Sequence, residues 1–196
     1  VDIFIKKELK NELKQDTKIT MLKYINEEVD RLNRLVEDFL TFARPIPPKL
    51  DRVDIKELIN KLVTGIEKRK DFGKKIKTEV SFNTEIPLVN ADKHQIYQAL
   101  LNLIQNSLEA IEEDGKIEII CYKDKGGIVI EVADNGPGVL YEDRDKIFEL
   151  FYTKKRNGSG LGLAIANKIV ESHGGYLKYK EKEDRGACFV LWLPID

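Results

Sequence analysis

The chain has 196 residues, 42% of them apolar and 34% charged, with a formal net charge of −1. That is enough for one ordinary domain and an appendage, and the even charge excludes the bulk basic field of a nucleic-acid or anionic-membrane binder. No apolar run approaches the ~20 residues that span a bilayer, and no secretory signal is legible, so a cytoplasmic setting is expected. Cys121 and Cys188 have no neighbours at metal-ligand spacing and read as buried, reduced thiols.

Residues 19–43 are predicted as a helix. Leu22, Ile25, Val29, Leu32, Val36 and Phe39 recur at alternating spacings of three and four, a heptad seam suited to another helix. Before it, Ile5 and Leu9 in "VDIFIKKEL" are at helical spacing, and "NELKQDTK" reads as a turn, with Asp16 or Thr17 capping the long helix. Residues 1–46 therefore read as a helical hairpin that starts partway through its first arm. "ARPIPPKLD", with Pro45, Pro47 and Pro48, cannot continue a helix and marks a stiff linker and a boundary near residue 46.

Residues 54–70 are again helical, and "KKIKTEVSFN" alternates as a strand does. Residues 92–112 form a strongly apolar helix. "KIEIICYK" and "GIVIEVAD" are strands joined near Asp124–Gly127, a hairpin signal. A helix over 161–173 ends at Gly174-Gly175, and "GYLKYKEK" with "ACFVLWLP" makes a closing hairpin. Residues 47–196 are thus predicted as an α+β domain. It is a two-layer α/β sandwich, a mixed but largely antiparallel sheet on about three helices.

Three stretches carry chemistry. In "RNGSGLGLAI", Gly158, Gly160 and Gly162 precede an apolar helix. Such a stretch is either a plain turn or an anion cradle, because glycines let backbone approach and first-turn N–H groups point outward. It matches neither the Gly-Lys-Ser/Thr nor the G-x-G-x-x-G fingerprint. "ADNGPGV" ends a strand on Asp134, then Gly136 and Gly138. It is either a turn or a carboxylate for an exocyclic amine beside a flat ring. Asn102 and Asn106 share one face of a buried helix. Buried amides need partners, so they bond to the fold or face a ligand or metal, and amide oxygens suit magnesium.

Taken in order, "HQIYQALLNLIQNSLEAI", "VADNGPGV", "IFELFYTKK" and "NGSGLGLAIANKIVESHGG" resemble the four ATP-site boxes of sensor histidine kinases. Those kinases share a superfamily with DNA gyrase, mismatch-repair ATPases and heat-shock chaperone ATPases. "YINEEVDRLNRLVEDFLTFARP" is similar to the second helix of the kinase dimerisation domain. The resemblance implies a site for ATP and Mg2+ under a lid of residues 140–160. It implies that Asn106 coordinates the metal and Asn102 supports it or contacts a phosphate. Asp134 takes the adenine amino group, with Gly136 and Gly138 as the pocket wall. Phe148 and Phe151 are implied as apolar lid anchors, and Lys154 reaches the phosphates beside Thr153, with Lys155 as its substitute or helper. For both lysines a solvated loop is the alternative. Gly158, Ser159, Gly160, Leu161, Gly162 and Leu163 would line the triphosphate. Hydrolase members carry a glutamate base where this chain has Asn102, so the site is expected to hold ATP for another nucleophile.

Two positions depart from many relatives, which place a lysine and a tyrosine where this chain has Glu109 and Ala110. The family's acceptor histidine, in its His-Glu/Asp…Pro setting, has no counterpart here. His94 and His173 are the only histidines and read as structural. The expectation is a protein-histidine kinase catalytic domain, residues 47–196, that cannot phosphorylate itself. The parent would be a homodimer through the hairpin and would serve a response regulator, free in the cytoplasm or as the cytoplasmic part of a membrane-bound sensor. The rivals are a related ATPase and a non-catalytic, nucleotide-gated interaction module.

Overall fold

The computed structural model describes residues 15–43, 47–67, 75–112, 114–155 and 158–196. The chain divides into two compact units, Val1–Leu40 and Thr41–Asp196. The boundary read near residue 46, and the hairpin arm and turn read over residues 1–14, lie outside the described residues.

Helix α1 spans Gln15–Ala43. Asp16 and Thr17, read as candidate caps, lie within this range. The heptad seam is laid bare: Leu22, Val29, Leu32, Val36 and Phe39 are all about half exposed or more.

The second unit is built on a five-stranded sheet. Its elements are β1 (Asp51–Val53), α2 (Ile55–Glu67), β2 (Ile76–Phe82), β3 (Val89–Ala91), α3 (Lys93–Ala110), β4 (Gly115–Asp124), β5 (Gly127–Asp134), α4 (Gly162–Ser172), β6 (Tyr176–Lys180) and β7 (Cys188–Pro194). The sheet order is β2-β4-β5-β7-β6. Only the β2–β4 pair is parallel, from Ile76 opposite Gly115 to Phe82 opposite Cys121. The three helices pack on this sheet, so the two-layer α/β sandwich is as the periodicities imply. A feature the sequence does not signal is the short antiparallel pair of β1 and β3, which sets Val53 opposite Val89.

Alternation decides which face is covered. In β4, Ile117, Ile119 and Cys121 point inward, and in β7 Phe189, Leu191 and Leu193 do the same. Ile119 lines one apolar space with Ile59 and Leu62 of α2 and Leu100 and Ile104 of α3, all essentially inaccessible. Each such side chain contributes about 1.5–3 kcal/mol. The other face is more open and carries the stacked pair Tyr176 and Trp192, 5.5 Å apart. Burial pushes the Cys121 thiol up to about 12 and the Cys188 thiol up to about 11, which leaves both inert.

Candidate functional site

Helix α3 is fixed first at its N-terminus. Asp92 Oδ1 accepts from the N–H groups of His94 and Gln95, at 3.0 and 3.1 Å, and Oδ2 accepts from Lys49 N–H at 2.9 Å. The Asp92 N–H donates to His173 Nε2 at 3.0 Å, while His173 Nδ1 lies 2.7 Å from the Ile169 carbonyl. A carbonyl only accepts and an amide N–H only donates, so Nδ1 carries the proton. His173 thus ties α4 to the start of α3, the structural role its setting implies.

On the helix so clamped, Asn102 faces the Gly158–Leu163 stretch and Asn106 faces Lys155. Asn102 Nδ2 donates to the Gly162 carbonyl at 3.0 Å, and its Oδ1 accepts from Gln98 at 3.0 Å. Both ends of this amide are engaged with the fold. Asn106 differs. Its Oδ1 accepts from Lys155 Nζ at 2.9 Å, and its backbone carbonyl is 3.3 Å from the same ammonium. A hard oxygen that already holds a cation is the donor chemistry a magnesium ion needs.

Strand β5 delivers Asp134, only 2% exposed. Its Oδ1 accepts from Gly136 and Ala187 N–H groups, at 2.9 and 3.2 Å. Its Oδ2 is buried with no partner, a state that costs free energy unless a donor arrives. The surrounding wall is backbone. A Cβ on Gly138 would stand 2.8 Å from the Gly186 carbonyl oxygen, and one on Gly186 would collide with the Asp134 carbonyl. Gly136 lies against Ala110 at the end of α3, so the first glycine box and the asparagine helix share one wall.

Between β5 and α4 runs the lid segment, with a short 3-10 turn at Tyr141–Asp143. Phe148 packs edge-on against Phe189, centroids 6.3 Å apart. Phe151 is not held by its ring, which is 60% exposed. Its φ is +63°, and its N–H donates to the Gly160 carbonyl at 3.1 Å. Gly160, at φ +67°, has no room for a Cβ against the Phe151 and Tyr152 backbone. Thr153 Oγ1 accepts from the Lys155 N–H at 3.1 Å and lies where a Gly158 side chain would be. Ser159 Oγ accepts from Leu161 N–H at 3.2 Å. No side chain caps α4, so the first-turn N–H groups of Gly162 and Leu163 remain available to an anion.

The two lysines part company. Lys154 Nζ lies 2.6 Å from Asp143 Oδ2 and 3.5 Å from Glu142, and so is directed at the lid's own carboxylates. Lys155, implied above only as a substitute or helper, is the lysine that stands beside Asn106. Neighbouring loop residues point opposite ways, and each follows the carboxylate within its reach. Asp143, Glu109 and Gly186 were missed as participants. Asp143 and Gly186 sit in no recognisable motif, and Glu109 has meaning only once Lys155 is placed.

Among the described residues no group of three or more His, Cys, Asp or Glu could hold a metal alone.

All four sequence boxes touch one another: Asn102 at Gly162, Asn106 at Lys155, Ala110 at Gly136, and Phe151 at Gly160. Comparison with known proteins agrees with this assembly. Residues 91–196 match the family described as histidine kinase-, DNA gyrase B- and HSP90-like ATPase. The chain belongs to that family, and within it is homologous to the catalytic domain of sensor histidine kinases. It is 35% identical over 170 residues to the sensor histidine kinase ZraS of Escherichia coli (strain K12), covering 87% of this chain and 36% of the relative. Two solved structures share the fold at 29% identity. Histidine kinase ThkA in complex with response regulator protein TrrA has a TM-score of 0.82, covering 98% of this chain and 56% of that one. Full-length ShkA in complex with AMPPNP has a TM-score of 0.78, covering 93% and 39%. The chain thus spans little more than a third of the curated relative's length.

Proposed function

We propose that this chain is the ATP-binding engine of a two-component sensor kinase, whose parent transfers the γ-phosphoryl group of ATP to a histidine and then serves a response regulator. The observation that carries the reading is Asp134 Oδ2, a buried, partnerless acceptor in a wall of backbone. An adenine amino group supplies the donor it lacks. AMPPNP bound to ShkA and the response regulator bound to ThkA support the same reading by homology.

Asn106 would be the protein's ligand to magnesium, which when bound neutralises phosphate charge. The chain's own part is positional, as phosphoryl transfer demands. Asp134 orients the base. Asn102 holds the Gly162 stretch against α3, so the free N–H groups of α4 face the phosphates. Lys155 brings a positive charge to the same place. No carboxylate stands at 102 to activate water, and the Asn102 amide is occupied at both ends. That favours transfer over hydrolysis. Residues 1–46 would belong to the dimerisation hairpin, and the bare α1 seam would pair with a second copy in a cytoplasmic parent.

The experiment is to mix the chain with labelled ATP, magnesium and a separate helix pair bearing the acceptor histidine. Acid-labile label should appear on the helix pair and not on the chain alone. Steady phosphate release at an ordinary enzyme rate, with no transfer, would favour the ATPase. Binding with neither outcome would favour a nucleotide-gated interaction module.

A further inference from the structure

Lys155 Nζ is held by three oxygens, all from α3: Asn106 Oδ1 at 2.9 Å, the Asn106 carbonyl at 3.3 Å and Glu109 Oε2 at 3.0 Å. Asn106 and Glu109 are three residues apart and so share a helix face. The Glu109 carboxylate lies beside the one amide proposed to hold a metal. In the described structure its charge is answered by Lys155.

Resting on the kinase reading above, we propose that Glu109 is a positioning residue: it seats Lys155 on the Asn106 amide, so the ammonium keeps the cation place until metal and nucleotide take it over. Two cations cannot share contact with one amide oxygen without mutual repulsion. Arrival of the metal therefore shifts Lys155 off Asn106, and the triphosphate offers it a stronger partner than Glu109. The pair is partly exposed, with side-chain accessibilities of 36% for Lys155 and 58% for Glu109. The latch is therefore weak enough to yield, and substitutions at either position leave the core intact.

The test is a double-mutant cycle read by calorimetric ATP titration, with magnesium and with a chelator. Glu109→Gln in the wild-type background should tighten ATP about twofold to fivefold, the range of an exposed ion pair. In a Lys155→Met background the same change should do little, because the residue through which Glu109 acts is gone. Lys155→Met should also narrow the gap between metal-free and metal-containing titrations less than Asn106→Ala does. An equal or larger effect of Glu109→Gln in the Lys155→Met background would overturn the proposal and leave Glu109 as a simple repulsive charge. Absence of ATP binding by the unmodified chain would instead overturn the kinase reading itself.

Discussion

Asp143 shows how one carboxylate sets the pose of a loop. It is 7% exposed and receives both the Lys154 ammonium and the Tyr152 hydroxyl. The Lys154 contact, then the Tyr152 contact, holds its carboxyl below the usual carboxylate range. A lowered value means the contact is fully present above the ordinary carboxylate pKa and is lost as pH falls through Asp143's own lowered one. The lid segment should therefore keep its protection in amide exchange across neutral and mildly acidic pH, and lose it only below the ordinary carboxylate range of about 4. Asp143→Asn should show that loss already at neutral pH. Unchanged exchange in the variant would mean the segment is held without Asp143. Gly186 illustrates the opposite kind of residue, one that acts by having no side chain. With φ at +122° and the Asp134 backbone carbonyl against it, any larger residue would displace the Asp134 backbone.

At the scale of elements, the junction of α3 and α4 deserves the closest look. Asp92 caps α3, anchors Lys49 and passes its own N–H to His173. Burial raises its pKa, but the N–H donors of Lys49, Gln95 and His94 together outweigh that and lower it. Its stabilising effect is thus present above the ordinary carboxylate value and fades as pH drops through the lowered one. Asp92→Ala should cost about 1–2 kcal/mol, lowering the melting temperature by roughly 2–8 °C for a domain of this size. An unchanged melting temperature at neutral pH would refute the cap's importance. The helices α2, α3 and α4 were legible in the sequence because each carries an uninterrupted 3.6-residue apolar period, and β4, β5 and β7 because they alternate or run apolar around turn residues. The β1–β3 pair was not, since three-residue segments such as Asp51–Val53 carry no period and find each other across about 40 residues. Asn106 stands out in the sequence by its helix face and Asp134 by its place at the end of a strand just before Gly136 and Gly138. The opposite directions of Lys154 and Lys155 do not, because a loop has no periodicity and each follows a carboxylate, Asp143 or Glu109, distant in sequence.

At the scale of the whole molecule, the Val1–Leu40 unit ends in a helix whose apolar seam is exposed, whereas the Thr41–Asp196 unit buries a complete core. An uncovered seam of this regularity is suited to a second helix. Leu32→Lys should abolish concentration-dependent self-association in sedimentation while leaving the melting of the ATP-binding unit unchanged. Equal sedimentation of the two proteins would show that the seam does not pair in this chain. The central claim, however, is that the asparagine helix, Asp134 and the glycine stretches make one nucleotide pocket. Its most direct test is calorimetric titration of ATP, with and without magnesium, into the wild type, Asn106→Ala and Asp134→Ala. We predict one saturable, magnesium-dependent site in the wild type, weakened in each variant by about 1–3 kcal/mol, or roughly fivefold to 150-fold. Wild-type-like binding in both variants would contradict the account.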